Sequence, residues 1–368
     1  MKPVVSSQPQ LVYLVYGKST YHDEAVFSIA SALAMARQLP DADFGIIVLT
    51  DEASHYRHLP VNLRLIDSAT LERWSGPHRY HFRGKHLALR QVLAEFETAA
   101  LVDTDTFFKE PAQRLFERIG PGKLLCNAVM QPFGASKEAP LYRLLAQKLE
   151  QAGIADDQLP LLNSGVIGLN AQDAQLLERS VQLMDELFPE AQGAYTLEEF
   201  CLSLVAYRGL DVQGCTDLIH HYWSRKQLFR AKAQAWLAKH RHAPLSAMAM
   251  ADTARVTPEL PRPPALQRTL NKLVTLTMPA QQRQFIRELL YGCYHHRNEF
   301  DRACASAWWD KALSNVQARL AGAFNSRLLE AWLDQPTTRV ILGRHWRNIR
   351  QHLLQHVTGT PTRALKHG

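Results

Sequence analysis

Hydrophobic and polar positions along the first hundred residues alternate between two kinds of run. Leu11–Tyr16 is a short unbroken apolar segment of strand formers closed by Gly17, and Phe44–Thr50 is a second such run followed directly by Asp51. Between them an Ala-rich stretch from Asp23 to Gln38 predicts a helix that ends at Leu39-Pro40. A third short strand is expected over Val61–Ile66, a helix over Gly84–Glu97, and a strand over Ala99–Val102 that runs into Asp103. Continuous apolar strands separated by helices predict an α/β fold with a mixed, mostly parallel sheet flanked by helices. In such sheets ligands gather at the carboxyl ends of the strands, where Gly17, Asp51 and Asp103 fall.

The middle of the chain predicts further strands at Lys123–Val129 and Gly165–Asn170, with helices over 138–152, 171–188 and 196–207. Beyond Tyr222 the pattern becomes helical, over 265–277, 280–297, 301–333 and 338–357, with proline-bearing breaks between. In the last of these, Ile341, Leu342, Trp346, Ile349, Leu353 and Val357 share one side and Arg344, Arg347, Arg350 and His352 the remainder. That is a basic amphipathic helix, docked on the body or lying on an anionic membrane. Trp308, Trp309 and Trp332 are expected in the core. The division that follows is a catalytic domain over 1–230 and a helical, basic region over 231–368.

Charge sharpens that division. Residues 1–229 carry 21 Lys+Arg against 27 Asp+Glu, and residues 230–368 carry 21 against 8, so balances of −6 and +13 make up the net +7. A basic segment beside an acidic body points to an anionic partner for the segment. The five cysteines show no paired metal-ligand spacing, and the N-terminus has no apolar signal core. Together with the lack of any apolar run near the roughly 18 residues that span a bilayer, these features lead to the expectation of a cytoplasmic protein, peripheral on the inner face of the membrane.

The chemistry concentrates in Leu101-Val102-Asp103-Thr104-Asp105-Thr106. If extended, this segment points Asp103 and Asp105 to one face at the end of a buried strand, a disposition suited to a hard divalent cation and, through it, a diphosphate. An ordinary turn is the plainer reading of an Asp-x-Asp. Three other elements stand in series with it. In Leu162-Asn163-Ser164-Gly165-Val166, Asn163 offers both donor and acceptor and Gly165 allows close approach, although a turn into a strand has the same look. In Thr196-Leu197-Glu198-Glu199, Thr196 and Glu199 have capping-box spacing, which leaves Glu198 for a site. In Ile219-His220-His221-Tyr222-Trp223-Ser224-Arg225-Lys226, either imidazole suits a metal, and a polar turn is the alternative.

In this order the four elements resemble the nucleotide-sugar glycosyltransferases of the A-type (GT-A) fold, in the branch of glycogenin and the lipopolysaccharide sugar transferases. The resemblance covers about residues 11–225. It implies a GT-A-like sheet and a hexosyltransferase-like enzyme that moves a sugar from a nucleotide-diphosphate donor, UDP-linked, to a glycan or lipid-linked acceptor. It further implies Mn2+ or Mg2+ held by Asp103, Asp105 and a late histidine, His221 or His220, with Asp103 also reaching the ribose. Asn163, Ser164 and Gly165 would line the sugar pocket, and Asn163, Glu198 and Lys85 would act at the reacting centre. Lys85 and Arg83, at a helix start where an anion is welcome, would reach the donor together with Arg225 and Lys226. Tyr16, Gly17 and Tyr21 would meet the nucleoside, while Asp51 caps the following helix. Two other readings are a sugar-nucleotide nucleotidyltransferase, for which the lone Gly17 is a poor phosphate loop, and a non-catalytic protein whose basic region binds nucleic acid or a membrane surface. No nucleic-acid partner is expected, because the body is acidic and no binding motif is present.

Overall fold

In the computed structural model, which describes residues 6–39, 43–320 and 323–358, strand β1 (Gln10–Val15) lies inside a seven-stranded sheet. Its residues are almost all buried, as a strand covered on both faces requires. It pairs in parallel with β2 (Gly45–Thr50) on one side, which carries β3 (Asn62–Leu65), and in parallel with β4 (Thr98–Val102) on the other. After β4 the chain forms β5 (Thr106–Phe108), β6 (Lys123–Pro132), β7 (Pro160–Asn170), β8 (Asp211–Gly214) and β9 (Ile219–His221). The sheet order is β3-β2-β1-β4-β7-β6-β8, and β5 and β9 form a separate two-stranded ribbon. Of the six pairings in the large sheet, only those of β7 with β4 and with β6 are antiparallel. The mixed, mostly parallel α/β sheet expected from the hydrophobic pattern is therefore the observed one.

Helix Ser19–Ala36 packs against β1 and β5. Helices Arg83–Leu93, Gln175–Leu187 and Leu197–Ala206 pack together, and their Leu89, Val92, Leu177 and Leu202 join Val12, Leu101 and Ile167 of the strands in one buried cluster. Antiparallel insertion of β7 next to β4 is the topological event that matters. It sets the middle of β7 beside the carboxyl end of β4: Val102 faces Val166, and the Asp103 amide donates to the Gly165 carbonyl at 2.9 Å.

The chain forms two units. One runs to Trp223 and includes His240–Ala254; the other comprises Ser224–Lys239 and the chain from Arg255 onward. The second is helical, with Phe285, Ile286, Leu313, Val316, Leu329, Trp332, Leu342, Ile349 and Leu353 in its core. Trp308 and Trp332 are buried as expected, and Trp309 is partly so. The amphipathic segment expected over 338–357 is two helices, Pro336–Leu342 and Trp346–Thr358, broken at Gly343, whose φ of +52° interrupts helical geometry. Ile349 and Leu353 face this unit's core, so the apolar side of the segment is spent on packing. Among the described residues no helix is long and apolar enough to cross a membrane. None of the five cysteines is in a disulfide.

Candidate active site

Asp103 and Asp105 do not lie in one extended strand. The chain bends through residues 103–105 between β4 and β5, and this turn, rather than strand alternation, brings the two carboxylates together. The Thr106 hydroxyl fastens it by donating to the Asp103 carbonyl at 2.7 Å. The β5–β9 ribbon delivers the third group: Thr106 lies opposite His221, and the Tyr222 amide donates to the Asp105 carbonyl. His221 Nε2 stands 3.3 Å from Asp105 Oδ1 and 3.9 Å from Asp103 Oδ2. One ligand atom from each of the three residues lies within 4.8 Å of the others. His220, one position earlier on the ribbon, turns to the other side and meets the Phe107 ring at 5.1 Å, so His221 is the imidazole of this cluster.

The tautomer of His221 follows from its neighbours. Asn163 Oδ1 accepts from the Gly165 amide at 3.2 Å, and Asn163 Nδ2 donates to Glu199 Oε1 at 3.1 Å, which fixes the orientation of the amide. His221 Nδ1, 2.8 Å from Asn163 Oδ1, is then the protonated nitrogen. Its Nε2 is the nitrogen that faces the two carboxylates, a disposition in which a cation between them would take its lone pair. Gly165 makes room for the ring: a Cβ there would come within 2.1 Å of His221 Nδ1. Close approach, and not an unusual dihedral, is what requires glycine at this position.

Behind the cluster sits a second, drier layer. Lys85 is buried, and its ammonium lies 2.9 Å from Asp103 Oδ1, 2.9 Å from the Ser164 carbonyl, 3.0 Å from Ser164 Oγ and 3.7 Å from Glu198 Oε2. Burial alone would favour the neutral amine, but Asp103 and Glu198 outweigh it and hold the ammonium above its usual pKa. Glu198 accepts from His86 Nε2 at 2.8 Å and from Ser164 Oγ at 2.6 Å. Burial pushes its pKa up, yet Lys85, His86 and Ser164 pull it below the ordinary carboxylate range. Asp103, Asp105 and Glu198 thus gather around the single ammonium of Lys85, a surplus of carboxylates. Two carboxylates, an imidazole and that surplus fit a hard or borderline dication.

Glu199 departs from the expected cap. Thr196 makes no side-chain capping bond, and the Glu199 carboxylate instead accepts from the Ser164 amide and from Asn163 Nδ2, each at 3.1 Å. Both consecutive glutamates reach β7, because the helix start faces two successive residues of that strand. Burial, then the charge of Glu198, raises the Glu199 pKa to about 7. The unfolded chain gives up this proton near 4.5 and the folded one near 7, so stability falls as pH rises between these values. Glu199→Gln keeps the acceptor oxygen without the charge. Its thermal midpoint is expected to match the unsubstituted chain at pH 4 and to exceed it by several degrees at pH 8 in a calorimetric pH series.

The remaining expectations divide. Lys85, Asp103, Asp105, Asn163, Ser164, Gly165, Glu198 and His221 come together as described. Arg83 does not join them: Nε and Nη2 grip Asp185 at 2.9 Å each, and Nη1 donates to the carbonyls of Arg73 and Trp74. A guanidinium used in this way braces the helix start. Gly17 follows β1 with φ +92°, and its amide donates to Asp51 Oδ2 at 3.0 Å. Asp51 is thus a tie between two strand ends, close to His22 Nε2 at 3.4 Å, and Glu52 caps the short helix in its place. Tyr16 is half-buried with its hydroxyl on the His81 carbonyl at 3.4 Å, and Tyr21 stands in the first turn of the next helix. Arg225 and Lys226 belong to the second unit, and the Arg225 side chain lies outside the described residues. His86 and Tyr80, whose hydroxyl accepts from the Glu198 amide at 2.9 Å and donates to the Tyr195 carbonyl at 3.1 Å, had no sequence signal.

No family model and no curated protein sequence matches the chain. Among solved structures it is similar to the bifunctional glycosyltransferase WbbM in its apo form, with a TM-score of 0.37 and 16% identity over 58% of this chain and 40% of that one. It is also similar to apo mouse xyloside xylosyltransferase 1, with a TM-score of 0.38 and 16% identity over 57% of this chain and 85% of that one. The chain thus spans less than half the length of WbbM.

Proposed function

We propose that this chain is a metal-dependent glycosyltransferase that moves a sugar from a nucleotide-diphosphate donor, UDP-linked, to a glycan or lipid-linked acceptor. The observation that carries the reading is the set Asp103, Asp105 and His221, with Nε2 facing both carboxylates and Nδ1 held by Asn163. Asp105 and His221 would hold Mn2+ or Mg2+, and Asp103 would share it while facing the donor ribose. When bound, the ion supplies Lewis-acid stabilisation of the negative charge that grows on the leaving diphosphate.

The protein's own residues prepare that position. Asn163 holds the His221 tautomer and keeps one further amide hydrogen for a sugar hydroxyl. Lys85 spends its N–H groups on Asp103 and Ser164. Its part is therefore to hold the Asp103 carboxylate in place, instead of the direct phosphate contact expected from the sequence. Neutralising the leaving diphosphate then falls to Arg225 and Lys226, and the nucleoside to Tyr16, Gly17 and Tyr21, assignments that rest on the sequence resemblance. A peripheral contact with anionic membrane likewise rests on the basic composition of residues 230–368.

Calorimetry with a panel of UDP- and GDP-sugars, with and without Mn2+, tests the reading. One UDP-sugar is expected to bind in the micromolar range only when Mn2+ is present. Binding that ignores the metal, or no binding to any donor, would overturn it.

A further inference from the structure

Far along the chain, in the helical unit, a second set of metal-type ligands converges. Helix Trp346–Thr358 presents His352 and His356 one turn apart, so both rings lie on one face. The packed helix Ala305–Leu320 offers Asp310 to that face. His352 Nε2 is 2.7 Å from Asp310 Oδ1, His356 Nε2 is 3.8 Å from the same oxygen, and the two ring centroids are 4.3 Å apart. One ligand atom from each lies within 4.8 Å of the others.

We infer that Asp310, His352 and His356 form a divalent-metal site of the zinc class, which joins the last described helix to helix Ala305–Leu320. Three features support a metal over a bare hydrogen-bonded cluster. His356 Nδ1 lies 2.8 Å from the His352 carbonyl and donates to it, so Nε2, which faces Asp310, is the nitrogen left for a metal. This outer bond is the one metal-bound histidines ordinarily make. Two neutral imidazoles and one carboxylate are a zinc donor set, with water at the fourth position. The spacing needs little adjustment: ligands held at about 2.0–2.1 Å in a tetrahedron stand roughly 3.3 Å apart, so the His352–Asp310 pair opens slightly and the His356–Asp310 pair closes slightly. On binding, the His352 proton moves from Nε2 to Nδ1. Trp309, edge-on to the His352 ring at 5.5 Å, keeps that ring in place. The site is independent of the proposed glycosyl-transfer centre, since it uses none of its residues.

The test is a Zn2+ titration of the full chain carrying Asp105→Asn, which disables the Asp103–Asp105–His221 cluster. One equivalent is expected to bind and to raise the thermal midpoint. Cobalt(II) in its place should give the intense visible bands of a tetrahedral ion. Adding His356→Ala, at a half-exposed position that folding does not need, should weaken Zn2+ binding by at least about tenfold, the lower end of what even outer-shell losses cost. It should also abolish the cobalt bands, and Asp310→Asn should do the same. Equal Zn2+ binding with and without His356, heat spread over many weak equivalents, or no binding at all would overturn the inference.

Discussion

Replacing Lys85 with methionine is expected to destabilise the N-terminal unit by about 3–5 kcal/mol, the usual cost of removing one partner from a buried charge cluster. Glu198 is 2% exposed, so its carboxylate cannot recover the lost interaction from water. The Asp103 carboxylate and both Ser164 oxygens lose their donor at the same time. Methionine fills much of the volume, so the loss reflects charge and hydrogen bonding rather than a cavity. The thermal midpoint should fall by roughly 10 °C. A double variant with Glu198→Gln should recover part of it, because the second change removes a charge the first leaves uncompensated. Unchanged stability of Lys85→Met at neutral pH would show that the ammonium does not hold this layer together.

Gly165→Ala should be the most damaging small change for metal binding. The backbone at Gly165 lies outside the left-handed region, and its strand neighbours are ordinary, so alanine is conformationally acceptable. The obstacle is the imidazole: the added methyl would come within 2.1 Å of Nδ1, 2.5 Å of Cε1 and 2.7 Å of Cγ of His221. His221 has no room to give, since it is tied to Asn163 on one side and to Thr106 through the ribbon on the other. Displacing the ring removes one of three ligands, and a loss on the order of 100-fold in Mn2+ affinity and in transfer rate is expected. Circular dichroism should remain unchanged. Undiminished Mn2+ affinity in this variant would mean that His221 is not a ligand.

Much of the first unit could be read from the chain. The runs Leu11–Tyr16, Phe44–Thr50 and Ala99–Val102 are buried on both faces, and such strands announce themselves as unbroken apolar segments. Asp103 and Asp105 stood out because residue type and placement after a strand agree, and Asn163 and His221 because of the polar motifs they sit in. What stayed hidden depends on tertiary contact. The bend at 103–105 converges two carboxylates that strand alternation would also have converged, so a correct grouping came with a wrong geometry. Glu199 carries capping-box spacing in the sequence, but β7 presents the Ser164 amide and Asn163 to it, and those partners displace the cap. Arg83 is spent on Asp185, a residue 102 positions away that no local pattern connects to it. In the helical region the periodicity over 301–333 and 338–357 was real, but its interruptions at 324–325 and at Gly343 were not visible in it.

The central claim is that Asp103, Asp105 and His221 hold a divalent ion for a nucleotide-sugar donor. The most direct measurement is titration of Mn2+ into the full chain in the presence of its preferred UDP-sugar, followed by electron paramagnetic resonance of the free ion, for the unsubstituted protein and for Asp105→Asn. The account predicts that the unsubstituted protein removes one equivalent from the free signal and that Asp105→Asn, still folded, removes none. Equal uptake by both proteins would contradict it.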